Sequence, residues 1–150
     1  MTESAMRLTL LLAGVINLAL GLLALIAPGT FFDEVGRYGL ENTHYVGDNG
    51  SFTAAAGIGL LLAVNRPSWR APLLWVGAIW FGFHALNHVF DIDEARSNAR
   101  GVFDTVALAL VALLTAFLAR DAERLREAAP PGDALHIYEK ISFGETIFVY

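Results

Sequence analysis

The sequence predicts an all-α membrane protein, a bundle of four transmembrane helices followed by a short cytoplasmic tail. Hydrophobic residues make up 55% of the 150 residues and charged residues 17%. A soluble domain has roughly 25% charged residues. The apolar residues form long runs, and the charges lie in the short gaps between these runs. We expect one bundle of residues 1–129 and a separate tail of residues 130–150.

The four predicted membrane spans are residues 8–26, 45–64, 71–90 and 102–119. The first is uncharged and ends before Pro28, and its 19 residues come close to the roughly 20 that a helix needs to cross a bilayer. The second is the least apolar, because residues 52–64 are too few to cross and the span must include Asp48 and Asn49. The third is rich in aromatic residues, and the fourth has Asp104 near its start.

The distribution of Lys and Arg predicts the orientation, because cytoplasmic segments carry an excess of these residues. Seven of the ten lie at the N-terminus, in the second loop or after the fourth span, and three lie in the first and third loops. We therefore expect both termini and the second loop in the cytoplasm, and the first and third loops outside. The seven are Arg7, Arg66, Arg70, Arg120, Arg124, Arg126 and Lys140, and the three are Arg37, Arg96 and Arg100.

The third span carries a stripe of polar residues, which are costly in lipid. Trp80, His84, Asn87, His88 and Asp91 follow one another at helical spacing and therefore share one face. Such residues in a membrane helix are expected to face the bundle interior or a watery cavity. The two histidines are four residues apart, so both side chains can reach one ion.

A second polar cluster precedes the second span. It contains Glu41, His44 and Asp48, and the predicted topology places it at the same outer level as the His84 stripe and Asp104. Imidazole and carboxylate ligands together suit a transition metal such as zinc or iron. A hydrogen-bonded network that fixes helix packing, and a site for protons or a substrate, are the alternatives. The candidate site residues are Glu41, His44, Asp48, His84, His88, Asp91 and Asp104.

The C-terminal tail differs in kind from the spans. In residues 135–150, apolar side chains alternate loosely with polar ones, as in a strand. This much apolar surface is expected to pack on the protein's own helices, on the membrane surface, or on a partner. The bilayer and a membrane-protein partner or second copy are the expected partners. The net charge of −5 argues against nucleic acid, and the absence of cysteine excludes thiolate metal sites.

The chain resembles small, uncharacterised bacterial four-helix membrane proteins of the DoxX-like kind. The likeness covers residues 8–120 and lies in the length, the four spans, the segment YGLENTHYVGDNG at 38–50 and the segment HALNHVFD at 84–91. It implies a four-helix bundle in the bacterial inner membrane and a redox association, without naming a reaction.

The sequence thus predicts a small integral membrane protein with a His and carboxylate site near the outer face of the membrane. We expect that site to bind a metal or to have a role in redox chemistry. The alternative is a non-catalytic accessory subunit of a larger membrane complex, docked partly through its C-terminal tail. The sequence does not decide whether the protein is an enzyme.

Overall fold

The structure, a computed structural model, describes residues 1–128, and this part of the chain is helical without strands. It contains α1 (Glu3–Ile26), α2 (Pro28–Glu34), α3 (Thr43–Ala63), α4 (Pro67–Phe90) and α5 (Asn98–Glu127). A 3-10 helix, Ile92–Glu94, lies between α4 and α5. The predicted all-α class is confirmed for these residues, and the predictions about the C-terminal tail fall outside them.

Three of the helices, α1, α4 and α5, are long and apolar enough to cross a membrane. The helix α3, in the place of the second predicted span, has 21 residues but is not among these candidates. Its first half carries polar residues such as Asp48 and Asn49, as expected for the least apolar span. The short helix α2 was not predicted, and it lies between the first two predicted spans.

Local sequence signals set the ends of these helices. The Thr2 side chain accepts a hydrogen bond from the Ala5 backbone and caps α1, while the Ser97 side chain accepts from Arg100 at the start of α5. Asn42 caps α3 in the same way. These caps satisfy amide groups that have no partner inside the helix. Both α2 and α4 begin at a proline, which is tolerated there because the first turn needs no amide donor.

The helices pack mainly as two pairs, α1 with α3 and α4 with α5. The two pairs meet in a buried core at one end of the bundle, formed by Met6, Leu10, Ala63, Leu74, Ala119 and Ala122. Arg70 is buried at this end and is only 3% exposed. Its guanidinium donates to both carboxylate oxygens of Glu3, at 2.7 and 2.8 Å, and to two carbonyls at the end of α3. We call this the Arg70 end and the opposite end the His88 end.

The contact between α1 and α3 is so close that glycine is required. A Cβ on Gly21 would lie 2.3 Å from the Ala54 nitrogen, and a Cβ on Gly57 would lie 2.4 Å from the Leu18 nitrogen. Small residues at such positions allow helix backbones to approach in a membrane, where van der Waals packing drives helix association. The α1–α3 pair is therefore closely packed along most of its length.

The outer surface of the bundle is strongly apolar. Ile79 on α4 is 57% exposed, and Leu110 and Leu113 on α5 are 61% and 69% exposed. A soluble monomer rarely leaves such a contiguous apolar surface in water. Lipid tails cover this kind of surface without an energetic cost, so the fold suits a membrane environment.

Candidate functional site

A cavity of about 540 Å³ lies at the His88 end, where the two helix pairs are less closely packed than in the core. The helices α2, α3, α4 and α5 and the loop before α3 all contribute to its lining. Phe31, Leu108 and Val111 provide apolar surface, and His84 and His88 provide polar surface. The cavity is therefore amphipathic, with an apolar part that reaches down α5 beside the histidines.

A continuous chain of polar side chains runs along one wall of the cavity. His84 Nε2 lies 3.1 Å from His88 Nε2, and His88 Nδ1 lies 2.8 Å from the Tyr38 oxygen. The Tyr38 hydroxyl donates to Asp104 Oδ2 over 3.4 Å, and Arg100 Nε donates to the same oxygen over 2.8 Å. The chain joins α4 to α5 through a residue of the first loop.

The directions of these hydrogen bonds follow from the carboxylate of Asp104, which can only accept when it is ionised. With the hydroxyl proton of Tyr38 directed to Asp104, the Tyr38 oxygen accepts from Nδ1–H of His88. The Nε2 atom of His88 is then without a proton and accepts from Nε2–H of His84. This tautomer leaves Nδ1 of His84 as an acceptor, and that atom is buried without a partner among residues 1–128.

The surroundings of Tyr38 favour the protonated form of its hydroxyl. Burial raises the pKa of the Tyr38 hydroxyl above its ordinary value, and the charge of Asp104 raises this pKa further. An ordinary tyrosine is already protonated at neutral pH, and Tyr38 keeps its proton to a higher pH still, so its hydroxyl can serve as a donor and an acceptor at once. This double role allows one residue to connect His88 with Asp104.

Contacts between two loops position Tyr38. The Gly39 amide donates to the Glu94 carbonyl over 3.0 Å, and Tyr38 and Ala95 form an isolated antiparallel bridge. Gly39 has a φ of 57°, a left-handed conformation that glycine adopts without strain. The loops before α3 and before α5 therefore lie together at the His88 end, which agrees with the prediction that they share one side.

The structure brings three of the seven predicted site residues into this chain of hydrogen bonds: His84, His88 and Asp104. Asp91 also lines the cavity, where it accepts a hydrogen bond of 2.8 Å from Asn87. The predicted common face of α4 is confirmed by this bond and by the contact of Trp80 with His84, whose ring centroids are 5.0 Å apart.

The remaining three predicted residues are more exposed. His44 and Asp48 pair with each other over 3.5 Å, and their side chains are 80% and 66% exposed. Glu41 is exposed as well. Within residues 1–128, no hydrogen bond or ion pair joins these three residues to His84 or His88.

Two of the predicted metal ligands, His84 and His88, lie close together in the structure. In the described part of the chain, no three His, Asp or Glu side chains are grouped so that they could hold one metal ion. The Nε2 atoms of His84 and His88 nevertheless converge to 3.1 Å. Two nitrogens bound to one zinc ion at about 2.0–2.1 Å in tetrahedral geometry are about 3.3 Å apart.

The sequence analysis did not predict three residues that belong to the site: Tyr38, Arg100 and Asn49. The spacing of Arg100 and Asp104 is that of an ion pair on one helix turn, so this pair had a local signal. Tyr38 had none, because its contacts with His88 and Asp104 span 50 and 66 residues of chain. Asn49 was expected near the outer end of the second span but was not assigned to the site.

Comparisons of the chain with protein-family models, with curated proteins and with solved structures found no match. The resemblance to DoxX-like proteins therefore remains a prediction from the sequence.

Proposed function

We propose that this protein crosses the membrane four times and binds a small amphipathic ligand in the cavity at the His88 end. The observation that carries this proposal is the cavity itself, about 540 Å³ with an apolar part beside a polar wall. Sites for small molecules typically measure about 300–1,000 Å³ and combine apolar walls with a few polar groups. The chain from Asp104 to His84 gives the polar wall a defined arrangement.

The proposed location is the outer face of the bacterial inner membrane, with both termini in the cytoplasm. The bias of Lys and Arg supports this orientation, because the loops at the His88 end carry few of them. Besides α1, α4 and α5, this proposal takes α3 as a membrane span. Its 21 residues are enough for a bilayer core of about 30 Å. Within its polar first half, Asn49 lines the cavity, and the exposed His44 and Asp48 would lie near the outer end of the span.

The test of this proposal is a pair of matched substitutions on α5. Leu108 lines the cavity, whereas Leu110 is 61% exposed on the outer surface and is not part of the lining. We expect saturable binding of uncharged ring probes, butylbenzene or 4-butylphenol, to the full chain in detergent micelles. Isothermal titration calorimetry measures it, with protein-free micelles subtracted.

Leu108→Trp should weaken this binding because the larger side chain takes up part of the apolar half of the cavity, and Leu110→Trp should leave it unchanged. Far-ultraviolet circular dichroism checks that both variants keep their helices. If neither probe binds the unmodified protein, or if the two variants behave alike, the cavity is not a ligand site.

Metal binding is the second candidate, and the convergence of the two Nε2 atoms favours it. In a metal complex, His84 and His88 would supply two ligands, and Tyr38 would accept the Nδ1–H of His88 as an outer partner. Elemental analysis of the purified protein tests this candidate. Zinc or iron at one ion per chain, lost in both His84→Ala and His88→Ala but kept in His44→Ala, would support it.

The role of accessory subunit rests on the tail and requires a partner in the membrane. It is compatible with a ligand site, because a subunit can hold a ligand for a larger complex. Co-purification from mild detergent tests this role, and loss of the co-purified protein on removal of the tail is the expected result.

A further inference from the structure

The charged groups around the cavity are engaged within the protein. Asp104 is 16% exposed and is paired with Arg100 over 2.8 Å. Asp91 accepts from the Asn87 amide. An ionic ligand would have to compete with these partners, and its own desolvation would add a further cost beside the apolar wall.

Asn49 differs from these residues because its amide has no hydrogen-bond partner in the part of the chain that the structure describes. It is half-buried on α3 and lines the cavity. Its backbone carbonyl accepts from Thr53, but within residues 1–128 its side chain takes part in no hydrogen bond. The other cavity-lining asparagines are engaged, since Asn42 caps α3 and Asn87 binds Asp91.

An amide that lines a cavity without a protein partner is free to bind whatever occupies that cavity, whether water or the polar group of a ligand. Asn17 on α1 shows how an asparagine is satisfied elsewhere in the bundle. Its amide donates to the Ala13 carbonyl of its own helix over 2.8 Å. Within residues 1–128 the Asn49 amide has no such bond, and Asn49 lines the cavity at the His88 end.

We propose that Asn49 recognises the ligand, and that the ligand is an uncharged amphipathic molecule whose polar group is a hydroxyl or a carbonyl. The carboxamide presents both a donor and an acceptor, so it can bind either group. The apolar body of the ligand then lies along Leu108 and Val111. This inference rests on the proposed function of the cavity and adds the ligand class and the residue that selects it.

The experiment compares probes of one shape that differ in their polar group. Butylbenzene has none, 4-butylphenol has a hydroxyl, and 4-butylbenzoate and 4-butylbenzylamine carry opposite charges. One hydrogen bond to the amide should make 4-butylphenol bind the full chain about fivefold more tightly than butylbenzene. Both charged probes should bind more weakly than 4-butylphenol.

Asn49→Leu should abolish the preference for 4-butylphenol and keep the affinity for butylbenzene, because the cavity remains and only the amide is lost. The matched control, Asn17→Leu, makes the same change at a position outside the cavity lining and should keep the preference. The retained affinity for butylbenzene also shows that the variant is folded.

The outcomes separate this inference from the proposed function. If Asn49→Leu still prefers 4-butylphenol, or if a charged probe binds best, the role of Asn49 and the ligand class are wrong while the cavity remains a ligand site. If no probe binds the unmodified protein, both proposals are overturned.

Discussion

Replacing Tyr38 by Phe removes one hydroxyl that connects two helices and a loop. The hydroxyl contacts His88 Nδ1 at 2.8 Å and Asp104 Oδ2 at 3.4 Å, so the substitution leaves one good hydrogen bond unmade and weakens a second contact. A hydrogen bond contributes about 1 kcal/mol net to stability. We expect Tyr38→Phe to lower the free energy of unfolding by about 1 kcal/mol, a factor of about five in the folded-to-unfolded ratio.

The matched control is Tyr45→Phe. Tyr45 is 69% exposed, and within residues 1–128 its hydroxyl makes no hydrogen bond. A surface change of this kind usually alters stability by less than about 0.5 kcal/mol. Reversible unfolding of the protein in mixed micelles, followed by circular dichroism, measures both variants. Equal effects of the two substitutions would refute the view that the Tyr38 hydroxyl joins α4 to α5.

The raised pKa of Tyr38 gives this comparison a second readout. In the folded protein the hydroxyl keeps its proton to a higher pH than in the unfolded chain, because of burial and then of Asp104. Above about pH 10, where an unfolded tyrosine ionises, the unfolded state loses this proton first and is favoured. The contribution of Tyr38 to stability is thus complete below that pH and declines as the pH rises. Tyr38→Phe should remove this part of the alkaline decline, and an unchanged pH profile would contradict the assignment.

The remaining predictions concern packing, topology and the tail. Gly21→Ala should destabilise the bundle by about 1–3 kcal/mol, because its Cβ would meet the backbone of α3. Gly47→Ala, with nothing within 4 Å of its Cβ, should be neutral or stabilising in the same unfolding assay. A cysteine introduced in place of Arg96 should react with an impermeant thiol reagent in intact cells, and one in place of Ser68 should not; the reverse pattern would invert the proposed orientation. Truncation before Pro130 should leave the bundle folded but change its oligomeric state or its co-purifying proteins, and no change in either would show that the tail is dispensable for assembly.

The all-α class and most helix positions followed from the sequence because they depend on local patterns. Long apolar runs mark helices directly, Pro28 marks the end of the first, and the face shared by Trp80, His84 and His88 follows from helical periodicity alone. The sequence also predicted that the second span is the least apolar. In the structure this span is α3, the one long helix of the described residues that is not apolar enough to be a candidate span.

Tertiary structure decided which polar residues meet. His44 and His84 look equivalent in sequence, yet the first points to solvent beside Asp48 while the second joins a chain that ends at Asp104. The difference arises from the loop that carries Tyr38, which reaches α4 and α5 because its backbone is bonded to the loop before α5. Contacts across 50 or more residues depend on how helices pair, and the helix pairing depends on close approach at Gly21 and Gly57. Residue spacing within one helix determines a face, but only the packing of several helices determines what that face meets.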